Sequence, residues 1–426
     1  MLVIEAKLKG TQSQCARLNE AIRTAQFVRN KCLKYWEENK KVSRNDLQKY
    51  CAVLGANTEF PWVAKLNSQA RQSAADRTWQ AISRFYTNCK QNKQGKKGYP
   101  KYKKFNRSVE YKTTGYTLSA DRREITFKDG FKAGKFQLWS SRDLVGYSEQ
   151  QIQRVRVVRR ADGYYCQFLI KWDRQEQHDY QGNVVGIDLG LKEFYTDSKG
   201  NTVDNPRFLR KSERRLKRLQ RRVSKRHVKG KKQSNRYHKS RKSLAKQHLK
   251  VSRQREDKAR KDALALVKSN DLIVYEGLKI QNLVKNHHLA KSISDASWYQ
   301  FTQWLQYFAQ IHNIICIAVP PHNTTVDCSD CGNQVKKTLS TRTHQCSKCG
   351  LVLDRDHNAA KNILAKGLKL LAQYINSTVG HTESGVKSSK AQGQSDLWIV
   401  SGNTNILSRL DELRINNYVE NPSLHS

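Results

Sequence analysis

The sequence predicts a multidomain α+β chain: a strand-rich N-terminal part that holds a helical insertion, then an α/β layer interrupted by a small cysteine-built module. Three observations predict it. Long helical stretches give way to short β-rich runs near Val109. Two apolar runs, "VVGID" and "LIVYE", have the continuous hydrophobicity of buried strands, and each ends in an acid. Two Cys-x-x-Cys pairs stand 14 residues apart late in the chain.

Taken in order, "LVIEAKLK" reads as an opening strand. A helix follows from about Thr11 to Asn39, with Leu18, Ile22 and Val28 at near-helical spacing and Thr11 as its N-cap. A second helical region covers about Val63 to Cys89, and "KQNKQGKKGYPKYKKFNRS" reads as a basic loop. Between about Val109 and Trp172, "YTLSADRREITF" and "QRVRVVRRADGYYCQFLIKW" each read as strand, turn, strand, the second turning at Asp162-Gly163. Arg154 and Arg156 alternate with valines there, so one face of that hairpin is basic, either solvated or turned toward nucleic acid. From Asn183, "NVVGIDLGLKEFYTDSKGN" gives two further strands. Arg207 to Lys261 is helical and carries 25 Lys or Arg against three acidic residues. That stretch is expected to be no hydrophobic core element but a solvated arm or, more readily, one facing nucleic acid. "NDLIVYEGL" and "NIICIAVPP" are buried strands, and "NAAKNILAKGLKLLAQYI" is a closing helix. The Gly-, Ser- and Asn-rich remainder, 379–426, is expected to be disordered.

Lys and Arg outnumber Asp and Glu by 79 to 37, a formal charge of +42 over 426 residues. Such a chain repels itself unless a polyanion is at hand, so nucleic acid is the first partner to consider. No apolar stretch approaches the roughly 20 residues that span a bilayer. "MLVIEAKLKG" lacks the features of a signal peptide, so a cytoplasmic protein is expected. Six cysteines, Cys15, Cys32, Cys51, Cys89, Cys166 and Cys316, are scattered and read as ordinary core or half-buried thiols.

The other four carry chemistry. In "CSDCGNQVKKTLSTRTHQCSKCG", Cys328, Cys331, Cys346 and Cys349 can close a tetrahedral thiolate site. A glycine after each pair lets backbone amides turn toward the sulfurs, so one structural zinc is expected, with no coordination position open for catalysis.

Asp188 and Glu276 end the two buried runs, and an isolated buried carboxylate is costly. In "CGLVLDRDHNAAKNIL" two further acids compete for a role. On a helix beginning near Asp354, at roughly 100° per residue, Asp356 shares a face with Ala359, Ala360, Ile363, Leu364, Gly367 and Leu371. Asp354 falls about 160° away, where it suits an N-cap. Asp356 is therefore the acid expected to face the sheet. Three carboxylates with oxygen-only ligation suit Mg²⁺ or Mn²⁺, and a pair of such ions serves phosphodiester hydrolysis. The layer implied is of the RNase H type.

"GIDLG", "IVYEGL", "CSDCG…CSKCG" and "DRDHNAAKNIL", in this order, closely resemble the RuvC-like nuclease and zinc-ribbon region of transposon-encoded TnpB proteins, relatives of the type V CRISPR effector nucleases. The likeness covers about Val184 to Leu371. It implies an RNA-guided DNA endonuclease that carries a guide RNA derived from the transposon end and recognises a short transposon-adjacent motif in double-stranded DNA. The implied acidic triad is Asp188, Glu276 and Asp356. The implied architecture is a β-barrel wedge domain (1–20 and 106–182) with a helical recognition domain (21–105). A RuvC-like nuclease domain follows (183–320 and 351–378), with a basic helical insertion (207–261) and a zinc ribbon (321–350). Such a protein is prokaryotic and works at the nucleoid. Arg342 matches an arginine of the family and is a candidate contact to the scissile phosphate. Lys65, Gln69 and Gln72, read as lying on one helix, are candidates for motif reading, with Arg154 and Arg156 as further nucleic-acid contacts. Asp327 departs from the family pattern and adds negative charge beside the ribbon. The competing readings are a nuclease-silent guided regulator, a transposase performing strand transfer, and a basic zinc-ribbon RNA-binding protein. The last leaves the acids unexplained.

Overall fold

The computed structural model describes residues 2–338 and 340–379, with side chains to 374, so the expected tail lies, from 380 on, outside the described residues. The chain divides into two compact units, Met1–Arg174 and Gln175–Ser426.

The first unit opens with β1 (Leu2–Lys9), continues through α1 (Gln12–Glu38), α2 (Arg44–Ala56), α3 (Trp62–Lys65) and α4 (Ser68–Lys90), and ends in six strands. These are β2 (Ser108–Lys112), β3 (Tyr116–Leu118), β4 (Glu124–Phe127), β5 (Lys135–Trp139), β6 (Ile152–Arg160) and β7 (Gly163–Ile170). All seven strands form one antiparallel sheet in the order β2-β6-β7-β1-β5-β4-β3. Its two edge strands follow one another in the chain, joined by the 3-10 turn Thr113–Gly115, so the sheet curls back on itself. Leu2, Ile4, Ala6 and Leu8 alternate inward from β1 to meet Leu18, Ala21, Ile22 and Ala25 of α1. The far half of α1 buries Val28 and Cys32 among Leu47, Cys51 and Leu54 of α2 and Ala74, Ala75 and Ile82 of α4.

Thr11 caps α1 in a capping box with Gln14, as its position before a helical run implies. The region read as one helix from Val63 breaks at Leu66 and Asn67. The Asn67 side chain caps the new helix at Gln69 N, while Gly130 N donates to Lys65 O across the break. The β6–β7 turn lies one residue earlier than expected. Arg160 pairs with Gly163, so Ala161 and Asp162 make the loop. Cys32, Cys51, Cys166 and Cys316 are buried as expected, whereas Cys89 is exposed.

The second unit runs β8 (Val184–Leu189), β9 (Glu193–Asp197), β10 (Thr202–Asp204), α5 (Phe208–Arg226), α6 (Asn235–Ser269), β11 (Leu272–Glu276), α7 (Ile280–Leu283), α8 (His287–Ala296), α9 (Trp298–His312), β12 (Ile315–Val319), β13 (Thr343–Gln345), β14 (Val352–Asp354) and α10 (Arg355–Val379). Its main sheet has the order β10-β9-β8-β11-β12, with β8, β11 and β12 parallel and β9 and β10 antiparallel. Both faces are covered, which explains the uninterrupted hydrophobic runs. Val184, Leu272, Val274, Ile315 and Ile317 face α10. Val185, Ile187, Ile273 and Cys316 face a core built from α6, α8 and α9. The basic arm departs from expectation here. Leu216, Leu219 and Val223 of α5 and Val251 and Ala259 of α6 are buried within it, so an apolar seam underlies the charge. No helix among the described residues is long and apolar enough to cross a membrane.

Candidate active site

Strand parity decides where the acids point. In β8, Val184, Gly186 and Asp188 share the α10 face; in β11, Leu272, Val274 and Glu276 do. The parallel register pairs Tyr275 with Ile187, so one further step brings Glu276 alongside Asp188. From the opposite side α10 lays Ala359, Ala360, Ile363 and Leu371 against the same face, all fully buried. It comes close because two positions lack side chains. A Cβ on Gly186 would stand 2.7 Å from Leu364 N and nearer still to Ala360 O, and one on Gly367 would strike the Val274 side chain. Asp356 sits in the first turn of α10. Asp354 accepts from Asp356 N at 2.8 Å and His357 N at 3.3 Å, the capping role that its angular position predicts.

Asp188 and Glu276 thus share one sheet edge, and Asp356 approaches it from the first turn of α10, near enough to act on Asp188. Asp188 and Glu276 are buried, and among the described residues neither has a salt bridge. Burial, then the Glu276 and Asp356 carboxylates, push Asp188 up to about 8. Burial also raises Glu276, against a hydrogen bond donated by the Thr324 hydroxyl and the more distant Lys366 ammonium. Asp356 is half-buried and engaged by Arg355 at 2.8 Å and by Arg342 at 3.4 Å. By its chemistry this donor set suits a hard divalent cation, since three carboxylates, two of them desolvated and without a salt bridge, repel one another; among the described residues, however, only the four cysteines already bring their ligand atoms within 4.8 Å of one another.

The four cysteines form a tighter group, their sulfurs all within 4.8 Å of one another. Cys328–Cys349 and Cys331–Cys346 are each 3.6 Å apart, close to the roughly 3.8 Å edge of a tetrahedron with 2.3 Å metal–sulfur bonds. The two knuckles repeat one backbone pattern. Cys328 N donates to Asn333 O and Gly332 N to Cys328 O; Cys346 N donates to Leu351 O and Gly350 N to Cys346 O. Gly332 and Gly350 take φ of +71° and +76°, a left-handed turn that glycine enters without penalty. Amides of Cys349 and Lys348 pull the Cys346 thiol down to about 6. These residues fit a zinc ion.

The remaining candidates are dispersed. Arg154 and Arg156 both pair with Glu110, at 3.3 and 2.8 Å, so the basic face of that hairpin is partly neutralised from β2. Lys65 ends α3 and is exposed, whereas Gln69 and Gln72 lie in the separate helix α4 and are half-buried, with Gln69 Oε1 enclosed. The Asp327 Oδ1 atom is likewise buried without a hydrogen-bond partner.

Sequence reading missed two features. Asn358 and Asn362 of α10 dock the first knuckle: Asn358 accepts from Ser329 N and donates to Asp327 O, while Asn362 donates to Thr324 O and Asp327 O. Their i, i+4 spacing in "HNAAKN" was the available signal. The second is a cleft of about 760 Å³ on α1, lined by Arg23, Lys31, Lys34, Tyr102, Lys104 and the 81% exposed Phe105. It joins the N-terminal helix to the loop at 102–106, which no local pattern links.

Comparisons with known proteins bear on both units. The OrfB_IS605 family model, described as "Probable transposase", matches residues 167–287, and the Cas12f1-like TNB domain matches 298–363. The chain is 29% identical over 368 residues to a "Putative RNA-guided DNA endonuclease" of Streptomyces pristinaespiralis, covering 84% of this chain and 87% of that one. It is 25% identical over 385 residues to "Putative RNA-guided DNA endonuclease InsQ" of Escherichia coli (strain K12), covering 85% and 91%. Over 197 residues it is 30% identical to "TnpB-like protein L79" of Acanthamoeba polyphaga mimivirus, covering 44% and 38%. Among solved structures, a Cas12f1–sgRNA–target DNA complex contains a chain that superposes with a TM-score of 0.50 at 14% identity, covering 82% of each chain. This is a likeness of fold.

Proposed function

The chain belongs to the TnpB family, and from that premise we propose that it is an RNA-guided DNA endonuclease of an insertion sequence. It would carry a guide RNA from the transposon end, recognise a short adjacent motif in duplex DNA and hydrolyse phosphodiester bonds. The observation that carries the reading is that Asp188 and Glu276 end adjacent parallel strands, buried and without a salt bridge among the described residues, with Asp356 in the first turn of the covering helix close enough to act on Asp188, in a chain of net charge +42.

In this reading β8, β11, β12 and α10 form the catalytic core of an RNase H-like, RuvC-type domain, and the curled N-terminal sheet is the wedge. Base pairing with the guide selects the sequence, and protein contacts read the short motif and backbone shape. Asp188, Glu276 and Asp356 would hold the catalytic Mg²⁺ or Mn²⁺ ions, whose chemistry there would be Lewis-acid activation of the attacking water and stabilisation of the leaving oxygen. Arg342, half-exposed and now paired with Asp356, is placed to turn to the scissile phosphate. Cys328, Cys331, Cys346 and Cys349 hold a structural zinc, and Asn358 and Asn362 tie that ribbon to the helix bearing Asp356. The basic surfaces of α5 and α6 face nucleic acid.

The test is a plasmid-depletion assay. The protein, expressed with its flanking locus and purified as a ribonucleoprotein, meets a matched target bordered by randomised bases in Mg²⁺. Depletion of plasmids that share one short motif is expected, and Asp356→Asn abolishes it while guided binding persists. Tight guided binding with every plasmid intact would replace this reading with that of a nuclease-silent regulator.

A further inference from the structure

Beside Glu276 lies a second cleft, of about 430 Å³, at the carboxyl ends of β11 and β12. Its lining includes Glu276, Lys279, Tyr299, Gln303, Gln306 and Pro321. The volume falls toward the lower end of the roughly 300–1,000 Å³ typical of small-ligand clefts, so it admits a single nucleotide rather than a duplex. Tyr299, in the first turn of α9, is 64% exposed, although its neighbour Trp298 is buried. Among the described residues its ring stacks on no aromatic and lies under no cation. An exposed aromatic ring at the first turn of a helix, beside a carboxylate, has the form of a base-stacking platform.

The polar side of the cleft is ordered in advance. Gln306 Nε2 donates to the Tyr275 hydroxyl at 2.6 Å, and Gln303 Nε2 donates to Gln306 Oε1 at 3.2 Å. This relay fixes the Gln303 amide, whose carbonyl and second N–H remain open to a partner that offers both a donor and an acceptor. A nucleobase edge does so. Lys279 on the rim supplies a cation for the attached phosphate.

We propose that this cleft seats one unpaired nucleobase of the DNA strand being cut, stacked on Tyr299 and held at its edge by Gln303, so that the adjoining phosphodiester is delivered to the carboxylates at Glu276. The proposal rests on the nuclease reading for its consequence in cleavage, though not for base binding itself. A base enters such a site only once unpaired, so the cleft favours a locally single-stranded substrate at the moment of cutting. Tyr299 and Gln303 are positioning residues here, acting through the placement of the phosphodiester.

Two measurements on the full chain test it. In the first, the Asp188→Asn protein binds a single-stranded DNA oligonucleotide that carries one 2-aminopurine, and fluorescence is read. Quenching is expected, is lost in the Asp188→Asn/Tyr299→Ala double variant and returns with Tyr299→Phe. Absent quenching, or quenching that Tyr299→Ala leaves unchanged, overturns the proposal. In the second, guided cleavage by Tyr299→Ala falls about ten- to a hundredfold with Tyr299→Phe as rescue. An abasic nucleotide beside the cut slows the wild type by a like factor and slows Tyr299→Ala no further. Full-rate cleavage by Tyr299→Ala also overturns the proposal. If Tyr299-dependent quenching holds and no guided cleavage occurs, the endonuclease reading falls and the base site stands. If cleavage proceeds without either signature, the base site alone falls.

Discussion

Glu110 and Asp188 are carboxylates buried to similar depth, 6% and 9% exposed, one in each unit of the chain. Their surroundings are opposite. Glu110 on β2 meets Arg156 at 2.8 Å, Arg154 at 3.3 Å and Arg77 at 3.9 Å. Burial alone would raise it, but these three guanidiniums reverse that and hold it below the usual carboxylate range. Asp188 has no such partners. The Glu276 and Asp356 carboxylates add to its burial, and the Arg355 charge offsets them only in part. Asp295, by contrast, repeats the first pattern inside the second unit, taking Leu209 N, Arg210 N and the Arg255 guanidinium. A fold so rich in arginine could have neutralised Asp188 from within. That it leaves Asp188 with no guanidinium in hydrogen-bond reach marks the place where an external cation is expected.

The contrast is broken most forcefully at Asp188. Asp188→Asn is expected to lower guided cleavage by at least about a thousandfold while leaving the metal-free melting temperature unchanged or higher, because it replaces a buried carboxyl that is costly to ionise and that no salt bridge compensates. Cleavage rates and calorimetry in EDTA check both halves. Glu110→Gln should do the reverse, costing about 3 kcal/mol of stability by leaving three arginines over a neutral amide. Urea unfolding of the two variants side by side reads this directly, and equal destabilisation would dissolve the comparison.

A weaker effect appears on acidification. Burial opposes ionisation of Asp76, but hydrogen bonds from Arg44, Gln48 and Lys112 more than compensate and hold it at about 2. A carboxyl depressed below its unfolded value of about 3.9 stabilises fully above that value and loses its contribution as pH falls toward 2. The first unit should therefore weaken between about pH 4 and pH 2, with a shallower slope in Asp76→Asn, measured by circular dichroism against pH. The smallest effect is expected at Asp354→Asn. Asparagine caps a helix as well as aspartate, so stability should change by only a few tenths of a kcal/mol and cleavage by less than about twofold. Loss of cleavage as complete as that of Asp356→Asn would refute the assignment of the two acids.

The sequence made Asp354 and Asp356 separable because the decision is local, a matter of 100° steps along one helix. The two acid-ending strands were equally legible, since a strand covered on both faces must be hydrophobic throughout. What stayed hidden depended on distant partners. Arg154 and Arg156 read as a basic face because Glu110, more than forty residues earlier, is invisible to a local pattern. The helix break at Leu66–Asn67 is held partly by Gly130, which no window around Val63 contains. The basic arm hid its apolar seam because four or five buried residues are outvoted by 25 cations in any average over composition.

Gly186 and Gly367 have a consequence for how the proposed catalytic centre tolerates change. Between them they set how far α10 stands from β8 and β11, and so the gap between Asp356 on the helix and the two strand-borne acids. The spacing of the charged groups is calibrated by two residues that carry no charge and no side chain. A single added methyl at either position acts as a shim that lifts the helix, widening the space between Asp356 and the strand-borne acids by a fraction of an ångström without altering one of them. In a saturation library scored for cleavage, these two silent positions should be as intolerant as the acids themselves.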